Sequence, residues 1–329
     1  MRIKLNQALP FAALSLFFLA GCGGNTTSST STSPTSQASS ANTPGTTTTG
    51  SGTESATSGI PHASHVALII EENQSFTTVF NNQMPYLSSL ATTYAYAAKY
   101  TSTNGGSMLN YLMLSSGDDQ TKDGCEGWGC PNQMTKPLKD DNIFRELTKA
   151  GLTWKVYAES LPQTGYLLDG PHPYANRHNP AVWYSDIVNS KAMQQNVVPF
   201  TELAKDIANN SLPNYILIIP NLNHDAHDGS PKQADEWLAS NVKPLLSSPA
   251  FGPNGDSVMF ITFDECGGGT NDGCGAHVMT TVIGPKVKRG FVSKTPYSHP
   301  DTLRTIMDAL GVRAYPGKSA KAKDMTDFF

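Results

Sequence analysis

The sequence predicts an α/β fold with a mostly parallel central sheet flanked by helices. Three observations carry this. Ser257-Val258-Met259-Phe260-Ile261-Thr262-Phe263, His65-Val66-Ala67-Leu68-Ile69-Ile70 and Asn214-Tyr215-Ile216-Leu217-Ile218-Ile219 are short apolar runs with β-branched and aromatic members, the composition of strands buried on both faces. Stretches with helical character follow such runs, the pattern of βα units. Each run also ends on polar chemistry: Glu71-Glu72-Asn73, then Asn221 with Asp225 and His227, then Asp264-Glu265-Cys266 and three glycines. In a parallel sheet those ends meet at one edge, where open α/β sheets bind ligands.

Along the chain, the first strand is followed by a helix over residues 84–98, with Leu87, Leu90, Tyr94 and Ala98 at helical spacing. Thr103-Asn104-Gly105-Gly106-Ser107 reads as a turn into a second helix that runs to Gly117. Ser107 at its N-terminus is either a cap or, beside a metal that ionises its hydroxyl, a nucleophile. Residues 118–138 read as a loop-rich insertion, 142–150 as a helix stopped by Gly151, and 152–158 as a strand. Residues 159–180 are irregular and hold His172, Tyr174, Arg177, His178 and Asn179, as substrate contacts or as exposed polar filler. His224-Asp225-Ala226-His227-Asp228 is the densest group of ligand-type residues. A helix over 232–246, a strand over 277–283 and a last helix over 300–310, closed by Gly311, complete the pattern.

The flanking segments differ in kind. Arg2 and Lys4 precede an apolar stretch over residues 8–19 that closes on Leu19-Ala20-Gly21-Cys22, similar to the lipobox of bacterial lipoproteins. That resemblance makes residues 1–21 a signal peptide and Cys22 the lipidated first residue, so the protein is exported and anchored to a bacterial cell membrane, periplasmic or at the cell surface. Its removal takes the net charge from −4 to −6, with 21 basic residues left against 27 acidic. Residues 22–59 are dominated by Ser, Thr, Gly, Pro, Asn and Ala, too polar to bury a core, and read as a disordered tether. The remaining residues, 60–329, form the predicted catalytic domain. The negative balance argues against a nucleic-acid partner. Cys125/Cys130 and Cys266/Cys274 form two close pairs without zinc-type CxxC spacing, read as disulfide staples of open connectivity.

Adjacent carboxylates repel unless neutralised, and hard cations take oxygen ligands. Three strand ends bearing acids, amides and imidazoles, with a Gly-Gly-Ser turn, therefore point to a metal-assisted active site. At this point the sequence resembles the bacterial phosphoesterases of the acid phosphatase and phospholipase C type, within the alkaline phosphatase-like superfamily. Ile69-Ile70-Glu71-Glu72-Asn73-Gln74-Ser75-Phe76 is similar to the family's opening strand and Glu-Asn-x-Ser-Phe segment. Ser107-Met108-Leu109-Asn110-Tyr111 resembles its Ser-x-Pro-Asn-Tyr nucleophile motif, and Tyr174 with His178-Asn179-Pro180 its Tyr…His-Asn-Pro stretch. Pro220-Asn221 with Asp225-Ala226-His227-Asp228, Asp264-Glu265 with the glycines, Ile283-Gly284-Pro285 and Tyr297-Ser298-His299 with Leu303-Arg304-Thr305-Ile306 match later segments. Three departures stand out: Gly105-Gly106 where His-Pro is usual, Leu109 where proline is usual, and Ala276 where Asp precedes the histidine.

The resemblance implies an alkaline phosphatase-like fold and a role for each matched residue. Glu72, Asn73, Ser107, Asp264 and Glu265 would hold a divalent metal ion: Mg, Ca or Mn by their oxygen donors, with Zn or Fe kept in range by His227. Ser107 would attack phosphorus and form a phosphoseryl intermediate. Asn110 would donate to a phosphate oxygen. His178, Asp225 and His227 would contact phosphate, protonate the leaving alkoxide or complete a second metal site. His277 and His299 read as core or supporting residues. The implied activity is hydrolysis of a small phosphate ester or phospholipid, by a phosphomonoesterase first and a phospholipase C-like phosphodiesterase second. A non-catalytic surface-binding lipoprotein ranks below both.

Overall fold

Val66–Glu71 (β1) is buried at every position and lies in the interior of the central sheet. Ala95–Ala97 (β2), Tyr100–Thr101 (β3), Trp154–Ala158 (β4), Val197–Pro199 (β5), Tyr215–Ile219 (β6), Val258–Phe263 (β7), Thr280–Ile283 (β8), Phe291–Ser293 (β9) and Tyr297–Ser298 (β10) follow in the computed structural model. The residues it describes are 59–103, 106–118, 136–267 and 275–329, all within the unit Ser55–Phe329. The expected signal peptide, nearly all of the expected tether, Cys125, Cys130 and Cys274 lie outside the described residues.

Eight strands form one sheet in the order β5-β4-β6-β1-β7-β8-β2-β9. β1 pairs in parallel with β6 on one side and β7 on the other; Ile69 faces Ile218 and Ile261 across the two ladders. This shared register brings three strands to an end at one level, so the residues after Glu71, Ile219 and Phe263 emerge along the same edge. β6 and β7 are also fully buried, as their unbroken apolar runs require. β8 is the exception, antiparallel to both β7 and β2. β3 and β10 form a separate parallel pair.

Helices cover the sheet. Pro231–Leu246 opens on a capping box, in which Ser230 Oγ accepts from Gln233 N at 3.3 Å and Gln233 Oε1 accepts from Ser230 N at 2.9 Å. Ala234, Trp237, Leu238, Val242 and Leu245 form its buried stripe. No helix among the described residues is long and apolar enough to cross a membrane.

Two expected elements are markedly shorter in the structure. The helix expected over 84–98 is Pro85–Thr93, because the chain leaves helical geometry at Tyr94 (φ −101°, ψ −101°). Ala95–Ala97 then joins the sheet beside β8 and β9. The strand expected over 277–283 begins at Thr280, and His277 makes an isolated bridge with Thr101.

Pro85–Thr93 has no side-chain cap of its own at Met84. The buried Asp235, from the helix packed against it, accepts from Tyr86 N at 2.8 Å and Leu87 N at 2.9 Å, the positions an N-cap serves. Asp235→Ala leaves both N–H groups without that acceptor and is expected to cost about 2 kcal/mol in urea denaturation. An unchanged midpoint would contradict this role.

Candidate active site

Gly106 is extended (φ −70°, ψ 168°) and Ser107 is the first residue of the helix Ser107–Ser116. The cap position belongs to Gly106, so the serine hydroxyl is not spent on capping. Ser107 Oγ instead donates to Glu72 Oε2 at 2.9 Å. The first turn of this helix directs its partial positive charge towards the same place. One turn on, the buried Asn110 braces the approach to the serine: its Oδ1 accepts from Thr103 N at 3.0 Å and from Thr103 Oγ, and its Nδ2 lies 3.4 Å from Gly106 O.

The loops after β1 and β7 are tied to each other. Glu72 Oε2 also accepts from Asn73 Nδ2 at 3.1 Å. Asn73 adopts a left-handed conformation (φ 55°) that asparagine tolerates, and its N–H donates to Asp264 Oδ1 at 3.1 Å. Glu265 N donates to the same oxygen at 2.6 Å. Gly267 closes the contact: a Cβ there would stand 2.0 Å from Asn73 O, and its φ of 51° is itself unfavourable for other residues.

The loop after β6 completes the group. Asp225 O accepts from Glu72 N at 2.7 Å, and Asp225 Oδ1 accepts from His227 N at 2.8 Å across Ala226, which is held at φ 72°. The short helical turn Asn176–His178 brings the buried His178 between two carboxylates. Its Nδ1 lies 3.2 Å from Asp225 Oδ2 and its Nε2 lies 3.1 Å from Glu72 Oε1, while Tyr111 stacks on its face at 5.3 Å. Arg177 Nη2 lies 3.3 Å from His227 Nε2. A guanidinium only donates, so Nε2 accepts and Nδ1–H donates to Asp228 Oδ1 at 2.7 Å.

Four carboxylates thus crowd one buried space. Burial, then Asp264 and Asp225, drive the Glu72 carboxyl well above its usual range. Burial pushes Asp225 up to about 7 and Asp264 up to about 7. Burial and the neighbouring Asp264 push Glu265, which also faces Ser107, up to about 8. Among the described residues, Asp264 Oδ2 is buried without a hydrogen-bond partner, and Glu72 Oε1 and His178 Nε2, 3.1 Å apart, face each other without hydrogen-bonding geometry. Among the described residues, Glu72, His178 and His227 each offer a ligand atom within 4.8 Å of the others. Unneutralised acids and orphaned oxygen and nitrogen donors are what a divalent cation would satisfy, so the residues present fit one.

The sequence from residue 71 to residue 313 matches the model of the phosphoesterase family. The chain belongs to that family. It is a phosphate-ester hydrolase. A phosphatidylinositol-3-phosphatase of Mycobacterium tuberculosis is 29% identical over 279 residues, 83% of this chain and 85% of that protein. A phosphate-repressible acid phosphatase of Penicillium chrysogenum is 27% identical over 221 residues, 65% of this chain and 51% of the relative, about half its length. A crystal structure of a protein in the alkaline phosphatase superfamily from Vibrio parahaemolyticus superposes with a TM-score of 0.56 at 11% identity, covering 81% of this chain and 70% of the other. That likeness establishes the alkaline phosphatase-like fold.

Of the residues singled out in the sequence of this phosphoesterase, Glu72 bonds to Ser107 and Asn73, and Asn73 N bonds to Asp264, but among the described residues the ligand atoms gathered within 4.8 Å are those of Glu72, His178 and His227, not of Glu72 with Asp264 and Glu265. The dense cluster after β6 divides. His224 turns away to Glu159, 2.9 Å from its Oε1, and Asp228 binds His172 at 3.0 Å. His277 donates to Ala98 O at 3.1 Å and stacks on Phe76 at 4.4 Å, outside the acid cluster. Thr103 and Gly267 carried no individual signal in the sequence, because a brace on Asn110 and a close backbone approach exist only in three dimensions.

The raised carboxyls dictate a pH dependence. Their folded values near 7 to 8 exceed the ordinary value of about 4, so folding takes up protons. For metal-free protein this stability is fully present below pH of about 4 and is lost as pH rises through the folded values. The expected result is a Tm that falls by several degrees between pH 5 and pH 8.5 and recovers at pH 8.5 on adding Mn2+. A flat profile without metal would contradict the crowding.

Proposed function

We propose that this phosphoesterase is a metal-dependent phosphomonoesterase of the acid-phosphatase kind, with Ser107 as nucleophile. The observation that carries the reading is Ser107 Oγ at a helix N-terminus, 2.9 Å from Glu72, among buried carboxylates whose mutual crowding and burial hold them above their usual range. Glu72, Asn73, Ser107, Asp264 and Glu265 would hold the ion; Mg, Ca or Mn suits the oxygen donors, and His178 and His227 beside Glu72 keep Zn or Fe in range. When bound, a divalent cation supplies the positive charge that lowers the pKa of the Ser107 hydroxyl and offsets charge on phosphate oxygens.

Ser107 Oγ attacks phosphorus as the bond from phosphorus to the leaving oxygen breaks, giving phosphoserine and an alcohol. Its proton has an acceptor at hand in Glu72 Oε2. The helix N-terminus and the Asn110 amide stabilise the equatorial oxygens, where charge accumulates. His178, between Glu72 and Asp225, and His227, oriented by Arg177 and Asp228, flank the phosphoryl group, and the leaving oxygen takes up the proton that Ser107 gives to Glu72. They also offer ligands for a second ion beside Glu72. Water then hydrolyses phosphoserine, releasing inorganic phosphate and restoring Ser107.

Arg177 favours a monoester, since a doubly ionised phosphoryl group gains from an added cation. Both relatives are phosphatases by name. The first, which acts on a phosphoinositide by its name, supports a phosphorylated headgroup as substrate beside small phosphate esters. Export, lipidation of Cys22 and disulfide staples in the catalytic domain belong to this proposal as well; the tether would hold the enzyme near such lipids.

Purified protein is expected to hydrolyse p-nitrophenyl phosphate well ahead of bis-p-nitrophenyl phosphate and phosphatidylcholine. Chelation should abolish the activity and a divalent ion restore it. Ser107→Ala is expected to keep its circular dichroism spectrum and lose turnover by about 10³-fold or more. Unchanged turnover would overturn the nucleophile, and preference for the diester or for phosphatidylcholine would select the phospholipase C-like reading.

A further inference from the structure

The peptide unit that joins Asp264 to Glu265 is gripped at both ends. Its N–H, that of Glu265, donates to Asp264 Oδ1 at 2.6 Å. Its carbonyl, that of Asp264, lies 2.7 Å from Nε2 of His299, a wholly buried residue that opens the helix His299–Ala309. A carbonyl only accepts, so Nε2 carries the proton and Nδ1 of the neutral ring is an acceptor. Tyr100 O–H, 3.1 Å away, donates to Nδ1, and Thr302 Oγ lies 2.7 Å from the Tyr100 oxygen. Burial pushes the His299 imidazole down to about 4, which keeps the ring in this neutral, directional state at mildly acidic and neutral pH.

The consequence falls on the carboxylates. Asp264 Oδ1 is engaged by Asn73 N and Glu265 N, which leaves Oδ2 as the oxygen without a hydrogen-bond partner. Rotation of the 264–265 peptide would withdraw the Glu265 N–H from Oδ1, leave the Asp264 carboxylate held there by Asn73 N alone and redirect the Glu265 side chain. Only the bond from His299 resists that rotation from the carbonyl end among the hydrogen bonds of the described residues. A core histidine with no such role would need only to be buried and satisfied. It would not need to spend its donor on the one carbonyl whose plane sets two acidic side chains.

We propose that His299 is a positioning residue: by fixing the plane of the Asp264–Glu265 peptide, it sets the direction in which both carboxylates leave the end of β7 and preorganises them for a divalent cation. This rests on the cation site proposed above. Residues that orient ligands from behind typically alter metal affinity by about 10- to 100-fold when replaced.

The test is calorimetric titration of metal-stripped, full-length protein with Mn2+ alone, alongside thermal unfolding without metal. His299→Phe retains a buried ring and removes the donor; it is expected to weaken Mn2+ binding by about 10- to 100-fold. His299→Gln, which keeps an N–H donor, is expected to restore most of the loss. In the Phe variant raised Mn2+ should recover hydrolysis of p-nitrophenyl phosphate, and an unfolding temperature without metal well above the assay temperature separates lost affinity from lost folded protein, since Mn2+ would also rescue a merely destabilised protein. A folded Phe variant with wild-type Mn2+ affinity overturns the proposal. If that variant does not fold, Tyr100→Phe decides: it leaves Nδ1 without its donor, so weakened Mn2+ binding supports the role and wild-type affinity overturns it. Wild-type protein that binds no divalent ion would instead bring down the cation reading, and this inference with it.

Discussion

Like charges brought together by strand register are the constraint on which the site depends. β1, β6 and β7 run parallel and end at one level, so the acids that follow them have nowhere else to go. Glu72, Asp225, Asp264 and Glu265 are all buried there. Buried carboxylates cost free energy unless protonated, hydrogen-bonded or paired with a cation, and the raised values of all four groups express that cost. The sheet supplies the stability that lets the crowding persist, and the crowding supplies affinity for a positive charge where a phosphate ester would bind.

The loops that carry these acids accept unfavourable backbone geometry to do so. Asn73 and Ala226 both lie in the left-handed region, which costs an alanine on the order of 1 kcal/mol. The turn at Ala226 sends His227 N back to Asp225 and directs His224 the other way, to Glu159. Gly267 lets the loop after β7 touch the loop after β1 without a side chain between them. Strain is thus concentrated where three strand ends must converge within hydrogen-bonding distance, a common price of preorganisation.

The fold was legible wherever burial on both faces leaves an unbroken apolar run. That holds for β1, β6 and β7, and the polar residues after each run mark the shared edge. It failed for β2, β3, β5, β9 and β10, strands of two or three residues that are too short to show a period and are set by their neighbours. The antiparallel direction of β8 was also hidden, since orientation leaves no trace in composition. Within the candidate site, Glu72, Asn73, Asp264 and Glu265 stand out in the sequence because they abut strands, and Ser107 because glycines lead into its helix. His178 stood out only as one polar residue in a long irregular loop, and its place between Glu72 and Asp225 is a tertiary fact. His299 could be read as a supporting residue at a helix entry, but which group it supports depends on a carbonyl 35 positions away.

Crystals of the protein equilibrated with Mn2+ and measured for anomalous scattering offer the most direct examination of the shared cation. The account predicts an anomalous peak within bonding reach of carboxylate oxygens of Glu72 and Asp264 and of Ser107 Oγ. A peak confined to the space among Glu72, His178 and His227, with Asp264 and Ser107 out of reach, or no ordered ion at all, would contradict it.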